Sequence, residues 1–206
     1  MLYVSSHPLV MDKIKTLRDK KTSPNVFKRT MKELTILLGY EVTSNFPTKE
    51  VSVKTPLDIA KARVVSKEIT IVGILRAGLA MMDGLCEIIP SARLAHIGIY
   101  RDEKTLRPVK YYLKLPSKLN EGIVIIVDPM LATGGSAVEA INIVKSHGSK
   151  LIYFVCAISA ECGIKFVEKH HPDVKIYTGC VDKRLNSNGY ILPGLGDAGD
   201  RMFGTF

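Results

Sequence analysis

The sequence predicts an α/β fold in which a mostly parallel sheet is flanked by helices. Runs without polar alternation, such as Ile123 to Val127, are typical of strands that are covered on both faces of a parallel sheet. Segments with helical spacing follow several of these runs. The 206 residues contain no internal repeat and no Pro/Gly-rich linker, so we predict a single domain over residues 1–206.

Two helices are predicted at the N-terminus, before any strand of the sheet. Val10, Ile14 and Leu17 have the spacing of an amphipathic helix. Ser23-Pro24 fits the N-cap and first turn of a second helix. The side chains that this helix is predicted to turn inward are Phe27, Leu34, Leu37 and Leu38.

Six strands are predicted after these helices. Lys49 to Lys54 alternates in polarity and stops before Pro56, which indicates an edge strand. The other five are predicted at Ile69 to Leu75, Leu94 to Tyr100, Ile123 to Val127, Leu151 to Ile158 and Val174 to Tyr177. Helices are predicted near 79–89, 136–147 and 160–171.

The segment from Arg101 to Gly122 interrupts this alternation. Prolines and mixed charge surround the β-prone stretch Val109 to Leu115, which predicts an arm projecting from the sheet over approximately 101–122. Such an arm can cover a site or contact a partner subunit.

Composition excludes several classes of protein. No apolar run approaches the roughly 20 residues of a membrane helix, and no secretory signal precedes the first helix, so we expect a cytoplasmic protein. The four cysteines and five histidines lack zinc-site spacing, and no metal ligands are assigned.

The net charge of +9 comes entirely from residues before position 122. A basic surface can attract phosphorylated substrates or nucleic acid. The basic cluster Lys13, Lys15, Arg18, Lys20 and Lys21 is interpreted instead as a solvated helix face, because it lacks the interleaved aromatic residues of single-strand binders.

Polar residues follow three of the predicted strands. Asp128 follows Ile123 to Val127, and Thr133-Gly134-Gly135-Ser136 then leads into a helix, which suits a phosphate as well as an ordinary N-capped helix. Arg76-Ala77-Gly78 and Arg101 follow two other strands, where an arginine can grip phosphate oxygens with two bonds. We expect these residues to meet at one edge of the sheet.

A glycine-dense segment, Tyr190 to Asp200, lies near the C-terminus. Its Gly194 to Gly199 matches the letters of a dinucleotide fingerprint, but the seven residues that follow leave no room for a βαβ unit. Its backbone groups could read a small planar base, while an ordinary C-terminal loop is the alternative. The predicted base-binding loop covers approximately 186–206.

These motifs resemble those of type I phosphoribosyltransferases. A strand ending in an acid and followed by Thr-Gly-Gly-Ser is similar to their phosphoribosyl-pyrophosphate (PRPP) motif. Pro129 stands where many members carry a second acid, so a role of that acid cannot be carried over. The form Asp128 to Ser136 resembles the uracil phosphoribosyltransferase branch in particular, and Tyr190 to Asp200 is similar to its uracil-binding loop.

The resemblance implies transfer of the phosphoribosyl group from PRPP to uracil, with Mg²⁺ accompanying PRPP. Arg76 and Arg101 would hold the pyrophosphate, Asp128 would bond the ribose hydroxyls, and Asp197 would assist loss of the uracil N1 proton or stabilise the sugar cation. These two arginines and Asp197 are the predicted catalytic residues. The predicted PRPP-binding residues are Arg76, Ala77, Gly78, Arg101, Asp128, Pro129, Met130, Leu131, Ala132, Thr133, Gly134, Gly135, Ser136 and Asp197. The predicted uracil-binding residues are Tyr190, Ile191, Gly196, Asp197 and Ala198.

The resemblance also implies that the arm closes over bound substrate. A homodimer or homotetramer is expected. GTP is a candidate effector, and no residue of the sequence indicates or excludes a site for it. Two alternatives stay open: a regulator of this fold that binds RNA, and a phosphoribosyltransferase for another base, a purine or orotate.

Overall fold

The computed structural model describes residues 1–101, 108–117 and 119–206. Its strands are β1 (Leu2–Val4), β2 (Thr48–Lys54), β3 (Ile59–Val65), β4 (Ile69–Leu75), β5 (Arg93–Arg101), β6 (Pro108–Lys114), β7 (Ile123–Val127), β8 (Met130–Leu131), β9 (Leu151–Ala160), β10 (Lys175–Asp182), β11 (Arg184–Leu185) and β12 (Ile191–Leu192). Its helices are α1 (Pro8–Arg18), α2 (Pro24–Thr43), α3 (Leu79–Ile88), α4 (Gly135–Ser146), α5 (Glu161–His170) and α6 (Ala198–Phe203). None of the helices in this described part is long and apolar enough to cross a membrane.

The central sheet has the strand order β1-β10-β9-β7-β4-β5-β6, and β8 pairs with β9 outside this path. Every pairing in it is parallel except that of β5 with β6. The predicted α/β fold with a mostly parallel sheet is therefore confirmed. The strand predicted at Val174 to Tyr177 is longer than expected, since β10 continues to Asp182.

Helices cover both faces of the sheet, which explains the unbroken apolar runs. All five residues of β7 are buried. Ile123, Ile125 and Val127 pack into one core with residues of α1, α2 and α3. Val124 and Ile126 pack into a second core with residues of α4 and α5.

The expectation that two helices precede the whole sheet is wrong. β1 comes before α1 and pairs in parallel with β10, with Leu2 beside Ile176. Three residues are too few for a periodicity to show, and this strand depends on a partner far along the chain. Both predicted helices are present.

The predicted edge strand at Lys49 to Lys54 belongs to a separate hairpin. β2 pairs antiparallel with β3, which the sequence analysis did not predict. Only Val51 in β2 and Ala62 in β3 are half-buried, and the other residues of both strands are exposed. Because neither face of β3 is covered, its sequence IAKARVV has no regular alternation by which the strand could be found.

The β-prone segment of the predicted arm is the outermost strand of the central sheet. β6 pairs antiparallel with β5 from His96 to Arg101, whereas β4 accompanies β5 only as far as Gly98. The hairpin therefore extends beyond the end of β4, as a projecting arm would. Residues 102–107 and 118 lie outside the described residues, and so does the predicted closure of the arm over substrate.

Candidate active site

The carboxyl ends of two adjacent strands, β4 and β7, form the floor of the site. Arg76 directly follows β4 through a cis peptide bond, and Asp128 directly follows β7. Gly78 lets the turn after β4 pack against both strand ends, because a Cβ there would lie 2.7 Å from the carbonyl oxygens of Ile74 and Val127. The turn therefore lies against the carboxyl end of β7, the strand that Asp128 follows.

The hydroxyl and glycine turn stands at the N-terminus of α4. Gly134 is the N-cap residue, with a φ of 87°, and a Cβ there would lie 2.9 Å from the carbonyl oxygen of Gly163. The N-cap residue has no side chain with which to cap the helix, so the first N–H groups of α4 receive no side-chain cap from it. The first backbone N–H groups of a twelve-residue helix and the hydroxyls of Thr133 and Ser136 surround a place suited to an anion.

A cavity of about 240 Å³ connects this turn to the C-terminal loop. An adjoining cavity of about 210 Å³ lies beside Arg76. Asp128 and Asp197 line both cavities, so the two carboxylates stand where the cavities meet. The other shared lining residues are Ala77, Ser136 and Gly199.

Most of the residues predicted to bind substrate line these two cavities. All five predicted uracil-binding residues do so. The lining residues among those predicted for PRPP are Arg76, Ala77, Asp128, Met130, Leu131, Ala132, Thr133, Gly134, Ser136 and Asp197. Gly78 and Pro129 instead contribute through the backbone, and Gly135 is the first residue of α4. Arg101 ends β5, but its side chain lies outside the described residues.

Pro129 supports the turn through its backbone. Its carbonyl oxygen accepts hydrogen bonds from the N–H groups of Ala157 and Ile158, at 3.0 and 3.1 Å. Pro129 thus ties the turn to β9.

The pKa of Asp128 is raised to about 7, chiefly by burial. A hydrogen bond from the N–H of Met130 lowers this pKa, and the nearby carboxylate of Asp197 contributes to raising it. The carboxyl group of Asp128 therefore keeps its proton to a higher pH than an ordinary aspartate does.

Asp197 is held at both of its oxygens. It is the N-cap of α6, where Oδ1 accepts a hydrogen bond of 2.9 Å from the N–H of Asp200. Oδ2 accepts one of 3.4 Å from the hydroxyl of Tyr190. The carboxylate is thereby fixed towards the cavities.

Several residues that shape the site were not among the individually predicted site residues, although Gly189, Gly199 and Phe203 lie within the predicted loop at 186–206. Ala137, Gly189 and Gly199 line the larger cavity, and Ile99 lines the smaller one. Phe203 lies under the guanidinium of Arg76, at 5.7 Å from its ring centroid. Asp197 itself was a visible signal for a helix N-terminus, since aspartate is a preferred N-cap residue that accepts a bond from a backbone N–H of the first turn.

The C-terminal loop is anchored to the end of α1. The guanidinium of Arg18 forms two bonds of 2.8 Å to the carboxylate of Asp182 and a third of 2.9 Å to the carbonyl oxygen of Gly194. Burial favours a higher pKa for Asp182, but the bonds from Arg18 and from the N–H of Gly194 outweigh it and hold this pKa below its usual value. The interpretation of the basic cluster as a solvated face is therefore wrong for Arg18.

The fold is that of the phosphoribosyltransferases. The fold matches a solved hypoxanthine-guanine phosphoribosyltransferase from Bacillus anthracis with a TM-score of 0.52 at 14% identity, over 77% of this chain and 80% of that chain. At this identity the match shows the fold alone.

Sequence comparison gives the family. The model of the uracil phosphoribosyltransferase family matches residues 4–205, and the chain belongs to that family. It is 58% identical over 206 residues, the whole of both chains, to a uracil phosphoribosyltransferase of Dictyoglomus thermophilum. A solved protein from Aquifex aeolicus matches with a TM-score of 0.96 and 40% identity, over 100% of this chain and 99% of that chain.

Proposed function

We infer that the protein transfers the phosphoribosyl group of PRPP to uracil, which forms UMP and pyrophosphate. One observation carries this inference: residues of the turn at Thr133 to Ser136 and of the loop at Tyr190 to Ala198 line a single cavity, together with Asp128. A phosphate site and a base site must share one cavity if a sugar phosphate is to be joined to a base. Family membership and full-length identity to named uracil phosphoribosyltransferases support the same reaction.

The turn and strand ends suit the binding of PRPP. In this proposal the N–H groups of Gly135 and Ser136 and the nearby hydroxyls bind the 5-phosphate, where the dipole of α4 favours negative charge. Asp128 bonds the ribose hydroxyls from the floor of the cavity. Arg76 lines the adjoining cavity and neutralises the pyrophosphate as it leaves. Arg101 is proposed to reach the same group, a role that rests on the resemblance.

The C-terminal loop suits the base. Ile191 and Ala198 are buried apolar walls, and the backbone groups of Gly196 to Ala198 can pair with the carbonyls and imide of uracil. Asp197 stands where the cavities meet, so it is placed to accept the N1 proton or to stabilise positive charge on the sugar. Holding both substrates in line supplies much of the acceleration.

Magnesium fits this arrangement as a companion of PRPP. Within the described residues no three His, Cys, Asp or Glu side chains form a group that could hold a metal. Mg²⁺ commonly takes one or two carboxylates together with substrate phosphates and waters, and Asp128 and Asp197 are the two carboxylates that line the cavities. When bound with PRPP, the ion would add positive charge that offsets the charge of the leaving pyrophosphate.

A homodimer or homotetramer is part of the proposal. It is supported by the exposed β2–β3 hairpin, where the apolar side chains of Leu57 at the tip and Ile59 are 97% and 69% exposed.

GTP as an effector and a cytoplasmic location stay predictions from the sequence. The RNA-binding alternative gains no support, because Arg18 pairs with Asp182 and Lys13 with Glu33.

A panel of bases tests the function. Purified protein with PRPP and Mg²⁺ should release pyrophosphate with uracil and not with orotate, adenine or hypoxanthine. Release with another base would assign that base instead. Retention of RNA at low salt without any pyrophosphate release would favour the regulator.

A further inference from the structure

The loop that lines the base side of the cavity is held in place by residues from the opposite end of the chain. Gly194 and Leu195 do not line the cavity, but they directly precede Gly196, which does. The position of Gly196 therefore depends on what fixes the two residues before it.

Arg18 and Asp182 fix Gly194 at both of its backbone polar groups. Its carbonyl oxygen accepts a bond of 2.9 Å from Nη1 of Arg18, and its N–H donates one of 3.0 Å to Oδ2 of Asp182. The two side chains are joined by a bidentate pair at 2.8 Å. Asp182 is 8% and Arg18 26% exposed, so solvent screens this pair weakly.

Arg201 fixes Leu195 and joins it to the end of α1. Arg201 lies in α6 and donates to the carbonyl oxygen of Leu195 at 2.8 Å. The same guanidinium donates to the carbonyl oxygens of Leu17 and Asp19 at the end of α1, and it lies over the ring of Phe27 at 4.5 Å. Arg18 at the end of α1 thus donates to the loop, and Arg201 in α6, which follows the loop, donates to the end of α1.

We propose that Arg18 and Asp182 are positioning residues for the base, and that they set the affinity for uracil by fixing Gly194 and hence the lining residues that follow it. The proposal rests on the proposed function. The PRPP turn is held separately, by α4 and by the pairing of β8 with β9. Asp197, which is also assigned to PRPP, is held by its own bonds from the N–H of Asp200 and the hydroxyl of Tyr190. The pair should therefore act mainly on uracil and much less on PRPP.

Arg18→Lys is the decisive variant. Lysine keeps the charge but is a single point donor, so it cannot hold Asp182 with two bonds and Gly194 at the same time. We expect the KM for uracil to rise roughly tenfold, the change that about 1.4 kcal/mol of lost positioning would give. The KM for PRPP should change less than twofold. Arg29→Lys, in an exposed pair with Glu33 on α2, is the matched control and should change neither constant.

Asp182→Asn provides a second test that keeps the shape of the side chain and should raise the KM for uracil in the same selective way. Thermal unfolding of each variant separates positioning from loss of fold. A KM for uracil that stays unchanged in both variants, or a parallel rise in both KM values, would overturn the proposal. Wild-type protein that releases no pyrophosphate with uracil would instead overturn the proposed function, so the two failures are distinguishable.

Discussion

Nη2 of Arg76 lies 3.1 Å from Oδ1 of Asp200, and this ion pair joins the strand end at β4 to the C-terminal helix α6. The side chains are 53% and 36% exposed, so the pair stands at the rim of the site and not in its core. Among the described residues, hydrogen bonding engages Arg76 through Nη2, which leaves other guanidinium N–H groups for a phosphate. Asp200 also accepts a bond of 2.6 Å from the hydroxyl of Thr205.

Replacing Asp200 with alanine should weaken the binding of PRPP. The pair holds Arg76 beside the smaller cavity, and an exposed ion pair contributes up to about 1 kcal/mol. We therefore expect the KM for PRPP to rise by roughly two- to fivefold, with the KM for uracil nearly unchanged. Initial rates at varied PRPP measure this. Asp173→Ala removes a comparable exposed partner, that of Lys145, and is the control; a fall in the KM for PRPP in Asp200→Ala would mean that Asp200 competes with the substrate.

Replacing Gly134 with alanine should affect both stability and PRPP binding. The φ of 87° and the contact of 2.9 Å with the oxygen of Gly163 make a Cβ costly, by roughly 1–3 kcal/mol. Relief of this contact shifts the N-terminus of α4, so the KM for PRPP should rise severalfold.

Gly148→Ala is the control for this change. Gly148 follows the other end of α4 with a φ of 91°, and a Cβ there meets Asn120 at 3.2 Å. It should lower the thermal midpoint without altering the KM for PRPP. If both variants changed this KM equally, the turn at Gly134 would have no special part in PRPP binding.

The protonation of Asp128 should make stability depend on pH. Its pKa is about 7 in the folded protein and lies near 3.8 in an unfolded chain, so the folded state binds the extra proton between these values. The free energy of unfolding should therefore fall as pH rises from about 4 to about 7. The full shift corresponds to about 4 kcal/mol, and partial solvent access of the side chain reduces the expected change to roughly 2 kcal/mol.

Chemical denaturation of wild-type protein and Asp128→Asn between pH 5 and 8 measures this effect. The variant is isosteric and does not titrate at this position, so its stability relative to wild type should increase across the range. Parallel pH profiles would show that the carboxyl group of Asp128 is already ionised throughout.

The part of the site formed by one continuous segment, from Ile123 to Ser136, could be predicted from local sequence patterns. The run Ile123 to Val127 is covered on both faces, and its apolar composition predicts burial whatever its partners are. Asp128 and the turn at Thr133 to Ser136 follow this strand along the chain. Their position at the sheet edge therefore follows from one correctly predicted strand.

Contacts between distant residues left no such signal. Arg18 and Asp182 are 164 residues apart and Arg76 and Asp200 are 124 apart, and neither pairing changes a periodicity. β1 was missed because three residues are too few to show a periodicity, and β3 was missed because neither of its faces is covered. The pairing of residues that are distant in the sequence could not be predicted, and such pairs support the base side of the cavity here.

Replacing Asp197 with asparagine separates its structural part from its chemical one. Asparagine caps a helix about as well as aspartate, so it can still accept the N–H of Asp200 and begin α6. The negative charge at the meeting point of the cavities is lost. We expect kcat to fall roughly 100-fold or more, the usual range for a general acid or base, with a thermal midpoint close to that of wild type. Turnover measured with PRPP and uracil both saturating tests this, and Asp197→Ala, which removes cap and charge together, should lose stability as well. Near-normal turnover of Asp197→Asn would restrict Asp197 to capping α6 and binding substrate.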